Sequence, residues 1–303
     1  MSANETVTGN QVTIGYGIEA NYGVAVDTDR TYGIQEKIGS IRSGESQRPL
    51  TEIGRQTYGK FAYGKLTRSH SVECILSSAD IFQLPLGKVA KANSDKKITH
   101  TPSKQITSFT EIVSIADPVR VDRKFIGCVM RSLSMRASVG DLVSCSGDVM
   151  CGKEADLVTS GAVFAKVDDP VNFPYTYTHV SVQVAGVEIA LVQSVELSIS
   201  SNVELAYQMG TKDAVNGYKK LTEISGRMSL LFNDLEGLKY VTGRKEVASL
   251  VITIDNGVGS SIVITVPNVS FAEHSLSGIA PNELLKQDLN WTGRDIMVVE
   301  TRV

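Results

Sequence analysis

Apolar and polar residues alternate with a period of two along most of the chain. Val195, Leu197 and Ile199 alternate with Glu196, Ser198 and Ser200, and Leu133, Met135 and Ala137 with Ser134, Arg136 and Ser138. Val180, Val182 and Val184 repeat the pattern against Ser181 and Gln183. Successive strand residues point to opposite faces, so this pattern predicts antiparallel sheets with one buried and one wet face. Asp255-Asn256-Gly257 separates the β-rich runs Leu250–Ile254 and Ser261–Val266 and predicts a hairpin with a loop longer than two residues. Only two helices are predicted, both short. One spans about Ser78–Leu86, with Ser77, Ser78 or Asp80 as cap and Gly87 at its end; Pro85 limits its last turn. The other spans about Asp234–Val241, with Asn233 or Asp234 as cap and Gly243 at its end.

The two helices read as one feature written twice. Aligning Leu76 with Phe232 also aligns Gly87 with Gly243, at a common offset of 156. Val72 then falls on Met228, Cys74 on Leu230, Ile75 on Leu231, Phe82 on Leu238 and Leu84 on Tyr240. A long Gly/polar segment precedes each copy, Ser43–Gly59 or Asn202–Lys219, and each segment follows a strand, about Ile34–Ile41 or Gln193–Ile199. Each copy closes on a glycine, a basic and an acidic residue, Gly152-Lys153-Glu154 or Gly293-Arg294-Asp295. Identity between the copies is low, and the shared order of elements carries the reading. The expected organisation is an N-terminal arm (1–29) with few buried positions, a first unit (30–155), a connector (156–187) and a second unit (188–303). Phe173, Tyr175 and Tyr177 should hold the connector against a surface.

Composition narrows the function. With 42% hydrophobic residues the chain can bury a core and is not disordered. Thirty basic residues against 33 acidic ones disfavour a protein that grips phosphates. The first residues lack the basic and apolar regions of a signal peptide, and no apolar run approaches a membrane span. Cys74, Cys128, Cys145 and Cys151 are therefore expected to be buried free thiols of a protein made in a reducing cytoplasm.

The sequence supplies no catalytic constellation. Gly15-Tyr16-Gly17-Ile18-Glu19-Ala20 has the spacing of a dinucleotide fingerprint, but Asn21-Tyr22-Gly23 breaks the helix that must follow, so it reads as a glycine-rich turn. His70, His100, His179 and His274 are scattered. His70, four residues from Cys74, reads as a polar-face histidine near a core cysteine, because a catalytic Cys–His pair would need a third, orienting group. Trp291 reads as a core or strand-edge anchor rather than a ligand platform. No catalytic, cofactor or metal residue is assigned. An enzyme is not expected.

Ile14-Gly15-Tyr16-Gly17-Ile18-Glu19-Ala20-Asn21-Tyr22-Gly23-Val24-Ala25 resembles the N-terminal signature of tail tube proteins from long-tailed, non-contractile phages, with Val24 where Thr is often found. The Ser/Thr-rich strand running into a helix, Leu66 to Gly87, and Gly127-Cys128-Val129-Met130-Arg131-Ser132-Leu133-Ser134 followed by Gly152 resemble that family's further landmarks. The resemblance implies a mostly β fold: here, two tandem β-sandwiches, each flanked by a short helix and carrying a long inter-strand loop. It implies a structural virion protein, made in the host cytoplasm, that self-assembles into stacked rings of the tail tube. Its partners would be itself, a tape-measure protein in the lumen and passing double-stranded DNA without specific binding; a membrane is not among them and a cofactor is not implied. Two units per chain favour a trimeric, pseudo-sixfold ring over a hexameric one. The long loops would make the assembly contacts, with Arg48, Glu52, Arg55, Tyr58, Glu204, Tyr207, Lys212 and Tyr218 as interface candidates. The alternatives are a receptor- or carbohydrate-binding β-sandwich, which should show a clustered aromatic face, and a tail terminator or adaptor.

Overall fold

The alternating segments become strands because their apolar members share one face and can be buried together. The computed structural model describes residues 12–50, 60–92, 96–115, 121–155, 174–231, 246–257, 259–277 and 285–302. The first half contains β1 (Val12–Ile18), β2 (Ile34–Ile38), β3 (Arg42–Leu50), β4 (Lys60–Ile75), helix α1 (Gln83–Leu86), β5 (Gly87–Ala92), β6 (Lys97–Pro102), β7 (Phe109–Ile115), β8 (Val121–Ser138), β9 (Ser144–Cys151) and β10 (Lys153–Glu154). The second contains β11 (Val180–Val184), β12 (Val187–Glu188), β13 (Val192–Ser200), β14 (Val203–Tyr207), β15 (Ala214–Lys219), β16 (Glu223–Leu231), β17 (Val247–Asp255), β18 (Ser261–Ser277), β19 (Lys286–Gly293) and β20 (Met297–Thr301). The protein is mostly β.

One continuous antiparallel ladder runs β2-β4-β9-β8-β13-β16-β19-β18. The long strands β8 and β18 each leave it part-way. The N-terminal part of β8 pairs with β7 and β10, and β7 carries β1. The N-terminal part of β18 pairs with β17 and β20; β17 carries β11, and β20 carries the β5–β6 hairpin. Each long strand has a register break near the transition, at Arg131 in β8 and Ala272 in β18. A bulge bends a strand and increases its twist, which lets one strand serve two sheets.

The two halves therefore share a pairing order: β1-β7-β8-β9-β4-β2 in the first and β11-β17-β18-β19-β16-β13 in the second. Their registers correspond as well. The β4·β9 ladder runs from Arg68↔Cys151 to Ile75↔Ser144, and the β16·β19 ladder from Ile224↔Gly293 to Leu231↔Lys286. The offset of 156 relates β4 to β16 throughout these ladders.

The inward residues form one apolar cluster that includes Val195, Leu197, Ile199, Leu133, Met135, Val182 and Val184. Tyr16, Tyr32 and Phe109 form a buried aromatic group, with the two tyrosine rings stacked at 4.7 Å. Trp291 is a core anchor, buried over Gly226, where an added Cβ would come within 2.2 Å of both the indole and the Glu196 carbonyl oxygen. The Leu250–Ile254 and Ser261–Val266 runs pair as expected, with Asp255 opposite Ser261. The first helix is a 3₁₀ turn (Ala79–Phe82) continued by α1; Ser78 precedes it without a side-chain cap, and Gly87 follows with φ +96°. The second expected helix, Asp234–Val241, lies outside the described residues.

Four expectations need correction. Residues 12–18 are not an arm: β1 pairs along its whole length with β7 and buries Ile14 and Tyr16. The fingerprint-like Gly15 and Gly17 thus lie in a strand, not a turn, and Gly17 packs so close to the Asp27 carbonyl that no Cβ fits. The described parts of the long polar segments are hairpin strands, β3 against β4 and β14 against β15. Both faces of β3 are largely exposed, so backbone pairing without apolar alternation made it invisible to the period-two signal. Within the stretch expected to connect the units, Tyr175 is buried and hydrogen-bonds through its backbone to Leu76 and Val143, while Val180–Val184 already pair with β17.

Two stability predictions follow from the packing. Gly226→Ala forces a Cβ against backbone and a rigid indole, and should cost about 3 kcal/mol in urea unfolding; an unchanged midpoint would refute the close contact. His100 is fully buried on β6, between Val89 and Val298, and neither ring nitrogen has a hydrogen-bond partner among the described residues. Burial, opposed by Asp80 but aided by Arg302 and Arg30, pushes its pKa down to about 4. The unfolded chain takes up this proton below about pH 6.5 and the folded chain only near 4. Stability is therefore lost as pH falls through that window, by roughly 3 kcal/mol at its end. In His100→Leu this component should vanish from the pH profile of the unfolding midpoint.

Candidate assembly interface

The eight-stranded ladder ends on two open edges. Among the described residues β2 pairs only with β4, and residues 273–277 of β18 pair only with β19. Inside the chain, β8 and β13 join the two halves from Ser132↔Ser200 to Ser138↔Ser194. In the shared pairing order β18 holds the place of β8, and β2 the place of β13. The chain thus carries at its two edges the counterparts of a junction that it makes in its own middle. An open edge presents unpaired N–H and C=O groups and is a template for another strand.

The outward face of this ladder is concave, with a cavity of about 940 Å³. Ser134, Ser144, Ser146, Ser198, Ser225 and Thr292 line it with short hydroxyl side chains. Its charges are paired across strands: Lys37 with Glu73 at 3.3 Å, Arg136 with Glu196 at 3.4 Å and Arg227 with Asp288 at 3.1 Å. Exposed pairs of this kind contribute about 0–1 kcal/mol each. Their main effect here is to neutralise the face. Among the described residues the one aromatic in the lining, Trp291, is buried.

The two hairpins behave differently. β14–β15 folds back onto the base of β4. Leu66 N–H donates to the Lys212 carbonyl at 2.9 Å, and Ala214 N–H to that of Gly152 at 3.2 Å. Arg68, whose side chain is only 8% exposed, pairs with Asp213 at 2.8 Å and with Glu154 at 3.6 Å. Lys212 pairs with Glu45 at 2.6 Å, Tyr207 O–H donates to the Leu66 carbonyl, and the Lys65 ammonium sits over the Tyr207 ring. The Lys219 ammonium caps the end of α1 by donating to the carbonyls of Pro85 and Leu86, and burial lowers its pKa to about 8. The β3–β4 hairpin instead leaves Leu50, Phe61 and Tyr63 exposed.

The interface candidates divide accordingly. Arg48 lies on exposed β3. Tyr207 and Lys212 are engaged within the chain, Glu204 pairs with Lys220, and Tyr218 is exposed. Glu52, Arg55 and Tyr58 lie outside the described residues. Sequence reasoning missed Arg68, Asp213 and Glu45, which only the folded-back hairpin brings together.

His70 is not on a polar face. Its side chain is buried, with Nε2 2.9 Å from Glu111 Oε2, and Tyr32 O–H also donates to that oxygen. Burial alone would lower the imidazole pKa, but the Glu111 carboxylate and the Cys151 thiol override it and push it to about 10. The thiol beside it is Cys151, not the nearer-in-sequence Cys74, and Cys128 Sγ lies 2.9 Å from Cys151 Sγ. Glu111 is the orienting group that the sequence did not reveal, since β4, β7 and β9 meet only in the fold. His70, Glu111, Tyr32, Cys128 and Cys151 are all buried, and none of them lines the concave face.

Open sheet edges and a neutral curved face are the features of a structural β-protein that pairs with further strands. Over residues 9–293 the chain matches the family model described as phage tail tube protein, and it belongs to that family. It is a structural, self-associating protein of the phage tail. No curated protein matches it. Among the described residues no helix is long and apolar enough to cross a membrane.

Arg68 is the buried pin of the folded-back hairpin. Arg68→Leu should release β14–β15 and speed tryptic cleavage after Lys212 by about tenfold, equivalent to about 1.4 kcal/mol of local opening. Cleavage at the wild-type rate would show that the ion pairs do not hold the hairpin.

Proposed function

We propose that the chain assembles head to tail into closed rings through its two open edges, with β18 of one copy pairing antiparallel to the β2–β3 edge of the next. The observation that carries this reading is the internal β8·β13 junction, which supplies both the geometry and the register. Transferring that register through the β2·β4 pairs sets Ser277 opposite Gly39, and through the β3·β4 pairs, which run one residue out of step with them, it sets Glu273 opposite Gly44 of the neighbouring copy. Arg42, two residues from Gly44 and on the same face, then lies diagonally beside Glu273, a complementary charge at the seam. With two tandem β-sandwich units per chain, three chains close a pseudo-sixfold ring whose inner wall is the concave face.

Rings stack into the tail tube through the exposed β3–β4 hairpin, with Leu50, Phe61 and Tyr63 as its apolar contacts. The tube holds a tape-measure protein and later passes double-stranded DNA. A wall of hydroxyls and paired charges fits that task, because unpaired cations would bind phosphates and slow the passage. The protein is made in the host cytoplasm and works in the virion tail. Burial of the one aromatic on the concave face among the described residues disfavours the carbohydrate-binding alternative.

The test is a double variant, Gly44→Cys with Glu273→Cys, treated with a short bismaleimide; an added Cβ at Gly44 meets nothing, and the native thiols are buried and should not react. The cross-linked ladder should end at a covalent trimer, and cryo-electron microscopy of the tubes should show three chains per ring. A ladder ending at six chains would overturn the trimer. Tubes without any cross-link would overturn the proposed edge register.

A further inference from the structure

We infer that Cys128 and Cys151 form an oxidation site, a thiol pair that a small peroxide converts to an intrachain disulfide. The site is defined by geometry and does not depend on the tube reading.

Cys128 lies on β8 and Cys151 at the end of β9, the next facing position beyond the Val129↔Met150 pair. Gly152 N–H donates to the Gly127 carbonyl, so the adjoining position, Cys128 opposite Cys151, falls in the non-hydrogen-bonded class, where side chains approach most closely. The two sulfurs are 2.9 Å apart and both side chains are fully buried. The other cross-strand pair, Cys74 opposite Cys145, is arranged differently: Cys74 Sγ contacts the Tyr32 carbonyl. The first pair also has a built environment. Burial and the Glu111 carboxylate raise the Cys151 pKa, but hydrogen bonds from the Cys128 thiol and from the His70 imidazolium, itself held by Glu111, outweigh them and lower it. A thiolate is the reactive form of cysteine.

The reaction balances with hydrogen peroxide as oxidant. The Cys151 thiolate attacks one peroxide oxygen, forming an S–O bond and breaking O–O. The leaving hydroxide takes the proton of His70 and departs as water. Cys128 sulfur then attacks the sulfenic sulfur of Cys151, forming S–S and breaking S–O. The second hydroxide leaves as water with the Cys128 proton. Two thiols and one peroxide give one disulfide and two waters. Peroxide is small enough to reach a buried site during local opening. The product would tie β8 to β9 beside Gly152, whose carbonyl also accepts the Ala214 N–H of the folded-back hairpin.

The test uses the full chain. Reduced protein is exposed to hydrogen peroxide, denatured, alkylated and analysed by mass spectrometry. Fully exposed Met209 serves as an internal control, since its sulfoxide reports the oxidant dose. The expected result is a fall from four alkylatable thiols to two and one cross-linked peptide pair containing Cys128 and Cys151. In Cys128→Ser, Cys151 should stop at the sulfenic acid and react with dimedone. His70→Gln, checked for native circular dichroism, should slow the bond about tenfold or more. Four thiols surviving a dose that oxidises Met209, or a Cys74–Cys145 bond in place of the expected one, would overturn the inference.

Discussion

Every backbone N–H and C=O in a sheet must find a partner or face water, and this requirement organises the whole molecule. A curved antiparallel ladder cannot satisfy its own ends unless it closes. The first half meets the demand on one side by lending β8 to β13 of the second half. That junction leaves the same demand unmet at β2 and at the end of β18. The bulges near Arg131 and Ala272 belong to the same solution, since they let β8 and β18 leave the curved ladder and cover its inner face with a second layer.

Side-chain chemistry follows the two faces of the ladder. Inward positions are mainly apolar, with the buried His70–Glu111 pair as an exception, and Trp291 is packed so tightly that position 226 admits only glycine. Outward positions are serines and paired charges. Because every second residue faces outward, a low net charge could be distributed as close neutralisation on this face rather than as separate acidic and basic patches. Lys37 and Glu73, and Arg136 and Glu196, are direct cross-strand partners, so register and electrostatics specify each other.

Much of this was legible where burial imposes a period. Val195 to Ile199, Leu133 to Ala137 and the Asp255-Asn256-Gly257 hairpin follow directly from alternation, and the offset of 156 recurs as a common register in two ladders. The rest was hidden for identifiable reasons. β3 is exposed on both faces and leaves no apolar signature. β1 carries glycines at Gly15 and Gly17 that suggest a turn, although close packing against Asp27 is what requires one of them. The group around His70 gathers residues from β4, β7, β8 and β9, and sequence spacing says nothing about such a meeting. Arg68 and Asp213 likewise meet only because a hairpin folds back across the chain.

The doubled pairing order also imposes a rule of parity. A single-unit subunit joined edge to edge could close with five, six or seven members, and curvature alone would select among them. A chain whose edges are separated by two such units adds them in twos. Any ring closed by this pairing holds an even number of units, and a five- or seven-membered error would require an edge that the polypeptide does not possess. In a ring closed this way, covalent connection would perform proofreading that an array of separate subunits would have to obtain from the angle of each contact.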